Sequence, residues 1–289
     1  MSQEQSAEQN QENIHEHKHE QVRSRNEPFV QRTVTRIWQE QPSSDNPYVA
    51  ASALCHGYDL FELMEKRSFV DVFYLLFRGE LPNAEEANLL QQLMIALINP
   101  GPRHPATRAA MNVGVGKTDP LHILPIASAV LGGNHMGGGE IEAAMRFLRK
   151  QQHTQADKFL ETFSAQHIDS GSEKSSTESS SLPGFGARNG GIEIMAVELA
   201  NRLLNLKGAG SALQWGCQLN EHLHARSRGW LMTGVAAAVF ADLGFQPRAG
   251  GCLFQLLGAP GLVAHGLELA NKPITAMPFV SDDDYVIER

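Results

Sequence analysis

Residues 121–148 read LHILPIASAVL, then GGNHMGGG, then EIEAAMRFL, and this order of apolar run, glycine-rich bend and amphipathic run decides the fold. The outer segments repeat apolar side chains every three or four positions, the period of a helix rather than of a strand. Helices are expected over Leu121–Leu131 and Glu140–Leu148. Between them, five of the eight residues from Gly132 to Gly139 are glycine, which frees the backbone and lets a ligand approach the main chain. His135 sits in this bend, ahead of the second helix. An imidazole there can donate a hydrogen bond, and the helix dipole disfavours its protonation. A neutral histidine donor suits the polarisation of a thioester or ketone carbonyl. The same residues also read as a plain helix–helix turn whose histidine caps a carbonyl.

The helical period continues on both sides. A pattern begins at Tyr58 after Gly57, and Ser68 looks like an N-cap for a helix that Gly79 stops. Asn83 can cap a helix carrying Ala87, Leu90, Leu93, Met94 and Leu97, and Asn99-Pro100-Gly101-Pro102 breaks the chain before a helix over Ala106–Val115. Further helices are expected at about Ile192–Leu206, Ser211–His224, Gly229–Leu243 and Pro247–Leu257. Gly258 and Pro260-Gly261 should then interrupt before a last helix over Leu262–Ala270. With no alternating strand series and no solenoid repeat, the fold class is all-α, with a large helical domain and a smaller one. The expected partition is a polar disordered tail at 1–28, the first part of the large domain at 29–150, a polar insertion or linker at 151–182, the small domain at 183–250, and a return to the large domain at 251–289. The Ser- and Glu-rich run 170–181 reads as a mobile, solvated connection.

Composition narrows the function. The 289 residues are 42% hydrophobic and 19% charged, enough for a substantial buried core. A net charge of -8 gives no broad attraction to nucleic acid or to an anionic membrane, so neither is an expected partner. Cys55, Cys217 and Cys252 are scattered and form no CxxC pair, which favours a reducing, cytoplasmic setting over a disulfide framework or zinc site. The polar N-terminus has no charged-then-apolar leader pattern. The longest apolar run, Trp230–Ala241, is well short of the ~20 residues of a membrane span and reads as a core helix. His15, His17 and His19 alternate, yet no fold would hold them as metal ligands, and no metal is expected. Gly114-Val115-Gly116-Lys117-Thr118 ends in Gly-Lys-Thr but lacks the Walker spacing and a preceding strand, which excludes triphosphate binding there.

Several blocks in the right order resemble the citrate synthase superfamily, especially its shorter citryl-CoA lyase-like branch. They are Gly57-Tyr58-Asp59 through Ser68-Phe69-Val70-Asp71-Val72, Leu75 through Pro82, Leu131 through Gly138, Pro183-Gly184-Phe185-Gly186, Asp242-Leu243-Gly244-Phe245, and Pro260 through Glu268. The resemblance covers about Tyr48 to Pro273. It implies a two-domain, dimeric helical fold in which 183–250 is the small, coenzyme-A-type domain. The implied chemistry joins an acyl-CoA to a 2-oxo acid, or cleaves the product, with the CoA thioester as substrate or ligand and no permanently bound cofactor.

Carried over position by position, the resemblance makes His135 the enol-stabilising catalytic residue. Gly184, Phe185, Gly186 and Arg188 become the substrate-binding loop; as bare sequence, that turn reads either as amides and a guanidinium presented to a phosphate or an adenine face, or as a surface loop with an exposed arginine. Other positions depart from the pattern. Ala187 replaces the ketone-polarising histidine, Thr233 the catalytic aspartate, Pro100 or Gly101 a further histidine, Gly258 an arginine, and Lys272 the arginine of a late Arg-Pro pair. Losing one oxyanion donor typically costs ~3–4 kcal/mol of transition-state stabilisation, and losing a general base ~10²–10⁴-fold in rate. Two functions therefore stand. One is an enzyme using a replacement base, with Glu140 the nearest acid, although a helix N-terminal charge explains Glu140 equally well. The other is a catalytically depleted homologue acting as an acyl-CoA-binding regulator or a partner subunit, as a homodimer or with an active homologue.

Overall fold

The computed structural model describes residues 33–168, 182–188, 190–278 and 280–288. The tail with His15, His17 and His19, and the run 170–181, lie outside the described residues. Contacts divide the chain at Gly57, into Met1–Gly57 and Tyr58–Arg289. This division does not coincide with the expected boundaries near 150, 183 and 250.

In the first unit the described residues form a hairpin that the helical reading did not anticipate. Strand β1 (Trp38–Pro42) pairs antiparallel with β2 (Ala50–Cys55), Trp38 opposite Cys55, with the register shifting between Gln41 and Pro42. Its side chains are mostly exposed, so neither face carries the apolar alternation that marks a half-buried strand.

The second unit is helical. Among the described residues the chain has eleven α-helices: α1 (Leu60–Lys66), α2 (Phe69–Arg78), α3 (Ala84–Leu97), α4 (Pro105–Val115), α5 (Ile123–Leu131), α6 (Ile141–Gln151), α7 (Ala156–Ile168), α8 (Ile194–Leu204), α9 (Ser211–His224), α10 (Met232–Asp242) and α11 (Pro247–Ala270). Strands β3 (Phe185–Gly186) and β4 (Gly229–Trp230) make one short antiparallel pair. The caps behave as their side chains dictate. Ser68 with Asp71, and Asn83 with Glu86, close reciprocal capping boxes, and Gly79 ends α2 in the left-handed region at φ 76°.

α10 is the central post: Val235 to Phe240 are all fully buried, and the helices of 69–168, 194–224 and 247–270 contribute to one contiguous core around it. One stretch holds more structure than its composition announced, and one expectation fails for a physical reason. The stretch 151–182, expected to be a polar insertion or linker, contains α7, whose Phe159 and Phe163 stack 5.8 Å apart, while Phe159 packs edge-on against Phe147 and Trp215. Leu160, also buried, adds to this apolar face of the helix. The expected interruption at Gly258–Gly261 is absent, because α11 runs unbroken through Pro260. Pro260 has no N–H to contribute, and the Gly261 N–H bonds outward to the Ile98 carbonyl at 2.9 Å. A lost intrahelical bond is thereby exchanged for a tertiary one. By length and hydropathy α11 could cross a membrane, but ten of its residues are buried against neighbouring helices, as in an interior helix. Lys117 of the rejected Gly-Lys-Thr run donates through Nζ to the Ala270 and Lys272 carbonyls, capping the C-terminus of α11.

Candidate active site

The glycine-rich bend is held by its neighbours. Met136 adopts a left-handed backbone, φ 58°, which costs a side-chain-bearing residue on the order of 1 kcal/mol or more. Its N–H donates to Glu140 Oε1 at 2.8 Å, and its carbonyl pairs with His104 Nε2 at 2.9 Å. His104 is the N-cap of α4, and its Nδ1 accepts from the Ala106 N–H. Nδ1 is therefore the bare nitrogen and Nε2 the donor, and both are committed. The following glycines bring the bend onto α11: a Cβ on Gly138 would fall 2.7 Å from the Gly251 carbonyl oxygen.

Loop 183–188 meets the core differently. Gly184, at φ 85°, lies against the start of α10, where an added Cβ would stand 2.9 Å from the Gly234 Cα. Phe185 is buried and stacks on Trp230 with ring centroids 4.2 Å apart, and Gly186 faces Leu231. This aromatic pair anchors the loop and lets Arg188 extend inward.

Arg188 is the hub of a largely buried charge cluster. Its Nη2 donates to Glu140 Oε2 at 2.5 Å, and its Nε lies 3.3 Å from Glu193 Oε1. The Thr233 hydroxyl donates to the same Glu140 oxygen at 2.6 Å, and Glu193 Oε2 accepts the Met232 N–H at 2.9 Å. Glu140 thus accepts three hydrogen bonds, from Met136, Arg188 and Thr233. These fill most of the acceptor positions of a carboxylate.

A cavity of about 360 Å³ opens against this cluster. Asn99, His104, Arg188, Glu193 and Thr233 are its polar members; Leu97, Leu131, Met136, Met195, Met232 and Phe254 supply much of the rest. Pro100, Gly101, Thr233 and Gly258, all positions where the resemblance expects a functional group, line this same cavity with Arg188. Residues spread over more than 150 positions of the chain converge on one wall. His135 does not join them: it is exposed in the bend, and the wall takes its neighbour Met136 instead. Ala187 and Lys272 are also exposed and outside the wall. Among the described residues no cluster of His, Cys, Asp and Glu could hold a metal ion.

Glu193 and His104 were not singled out by sequence reasoning. Glu193 sits in an irregular stretch with no motif, and its side chain finds partners only where Arg188 and the start of α10 come beside it. His104 had a local signal, a capping side chain directly before a proline at the first helical position.

The later block Asp242–Phe245 is structural. Asp242 accepts the N–H groups of Gly210, Ala212 and Leu213 at 2.8–3.1 Å, capping α9 from outside the helix. Burial pushes its carboxyl above the usual range, against the opposing pull of these three donors. Arg78, Arg149 and Tyr74 donate to the carbonyls of Gly244, Phe245 and Leu243, closing the C-terminal end of α10.

The fold this architecture defines is that of the citrate-synthase-like helical proteins. The citryl-CoA lyase of Hydrogenobacter thermophilus superimposes with a TM-score of 0.71 at 21% identity, over 89% of this chain and 94% of that one. The ATP citrate lyase of Methanosaeta concilii in complex with (3S)-citryl-CoA matches at 0.64 and 16% identity, over 89% of this chain and 43% of that longer one. The citrate synthase of Thermotoga maritima matches at 0.56 and 19% identity, over 77% and 60% of the two chains. No protein-family model matches the sequence, and neither does any curated protein.

Proposed function

We propose that this chain binds a CoA thioester, with its acyl end in the cavity beside Arg188 and Thr233, and serves as a regulatory or partner subunit rather than as a condensing enzyme. The observation that carries this reading is the convergence of Arg188, Thr233, Pro100, Gly101 and Gly258 on one cavity of a fold whose similar structures include a citryl-CoA complex. In this reading the cavity remains, while the positions at which the resemblance expects groups that hold and activate a 2-oxo acid carry other residues. Arg188 is already engaged by Glu140 and Glu193, and Thr233 offers a hydroxyl where a carboxylate base is expected. A cytoplasmic setting and a homodimer belong to the same proposal. The dimer is supported by α5 and the turn before it, which expose Leu121, Leu124, Ile126 and Val130.

Calorimetric titration with acetyl-CoA, followed by α-proton exchange in heavy water, tests the proposal. Saturable binding without exchange is expected. Failure of a panel of acyl-CoAs to bind overturns it. A second reading has one observation behind it: the hydrogen bond from Thr233 to Glu140 sets a carboxylate beside the position of the missing aspartate. Exchange in the native protein that disappears in Glu140→Gln would establish that enzyme reading in place of the first.

A further inference from the structure

We infer that the cavity accepts an uncharged, apolar acyl group and that the Glu140–Arg188–Glu193 bridge rejects acyl groups ending in a carboxylate; this rests on the reading of the cavity as a thioester site. Four observations support it. Leucine, methionine and phenylalanine side chains dominate the wall, and Pro100, Gly101 and Gly258 add no charge. Arg188 is the one cation in that wall, and its side chain is only 13% exposed between two carboxylates. Counted together, Glu140, Arg188 and Glu193 sum to one negative charge. His104 cannot serve as a reserve donor, since the Met136 carbonyl and the Ala106 N–H occupy both of its nitrogens.

An incoming carboxylate would have to share Arg188 with two glutamates already paired to it and would meet a cluster of net negative charge, an arrangement that discriminates against the anion. An alkyl chain meets no such obstacle and gains roughly fourfold in affinity for each buried methylene. At about 360 Å³ the cavity lies toward the small end of ligand sites, suited to a short or medium chain rather than a long lipid tail.

The test titrates the full chain with acetyl-, butyryl-, hexanoyl- and glutaryl-CoA, and with the same four acyl groups on N-acetylcysteamine, which lacks the nucleotide. Affinity should rise roughly fourfold per methylene from acetyl to hexanoyl, with glutaryl about tenfold or more weaker than butyryl, which carries the same three apolar carbons. Glu193→Gln keeps an acceptor for the Met232 N–H but removes a charge from Arg188, and should raise glutaryl binding relative to hexanoyl by about tenfold. Glutaryl affinity equal to or above that of butyryl in the native protein, or a flat chain-length series on both carriers, overturns the inference. If the chain-length order appears on N-acetylcysteamine but no CoA ester binds, the inference stands and the coenzyme A reading falls.

Discussion

Asp242 and Glu140 are both carboxylates that accept three hydrogen bonds, and they hold very different parts of the molecule. Asp242 spends all three on backbone N–H groups of one helix start, Gly210, Ala212 and Leu213. Glu140 divides its three between the backbone of a strained bend and two side chains of the cavity wall, Arg188 and Thr233. A carboxylate tied to backbone donors is scaffold, because no side-chain substitution nearby can release it. One tied to side chains sets the charge of a binding wall and can be altered piecemeal.

The comparison breaks most readily at Asp242. Replacement by alanine should destabilise the fold by about 3 kcal/mol or more, since three amides at the start of α9 lose their acceptor together. Urea denaturation measures this, and a loss below about 1 kcal/mol would remove Asp242 from the scaffold class. Glu140→Ala should cost less, about 1–3 kcal/mol, because its side chain is 20% exposed and water can reach its partners. Its larger consequence should be a changed preference for charged ligands, read by titration with glutaryl thioesters.

The pH dependence sharpens the same contrast. The folded carboxyl of Asp242 lies above its ordinary value of 3.8, so the folded state holds that proton more tightly than the unfolded one. This contribution to stability is full below the unfolded value and is lost as pH rises through the raised folded value. Native protein should therefore lose stability relative to Asp242→Asn as pH increases across that window. A difference that grows in the opposite direction would reverse the assigned shift. The smallest effect concerns thiols. Burial pushes Cys217 up to about 11, whereas Cys252 is exposed. Within Tyr58–Arg289 a neutral thiol reagent should label Cys252 in the native protein and reach Cys217 only once α9 opens. Asp242→Ala should hasten Cys217 labelling; Glu140→Ala should not.

Most helices were legible from local chemistry. The caps at Ser68 and Asn83 and the full extent of Ser211–His224 agree with the sequence reading because side chain and backbone there answer each other within one turn. What escaped depended on distant partners. α7 was hidden in a polar stretch, and its helix is explained by Phe147 and Trp215. The continuity of α11 depends on Ile98 receiving the Gly261 N–H. At the site, Arg188 was reached through resemblance and Glu140 through proximity to the bend. Glu193 had no local signature, and its role exists only where α10 packs beside it. The sequence also drew attention to His135, whereas the bend turns Met136 into the cavity wall.

That bend has a consequence for how the chain reports on itself. The peptide units of Met136 are clamped by a glutamate four residues later and by a histidine 32 residues earlier, at the N-cap of α4. Hydrogen–deuterium exchange at the Met136 amide should then be slow in the native protein and should follow Glu140 rather than helix fraying. The amide becomes an isotopic gauge of the cavity wall, readable without any ligand label and sensitive to every event that moves Arg188.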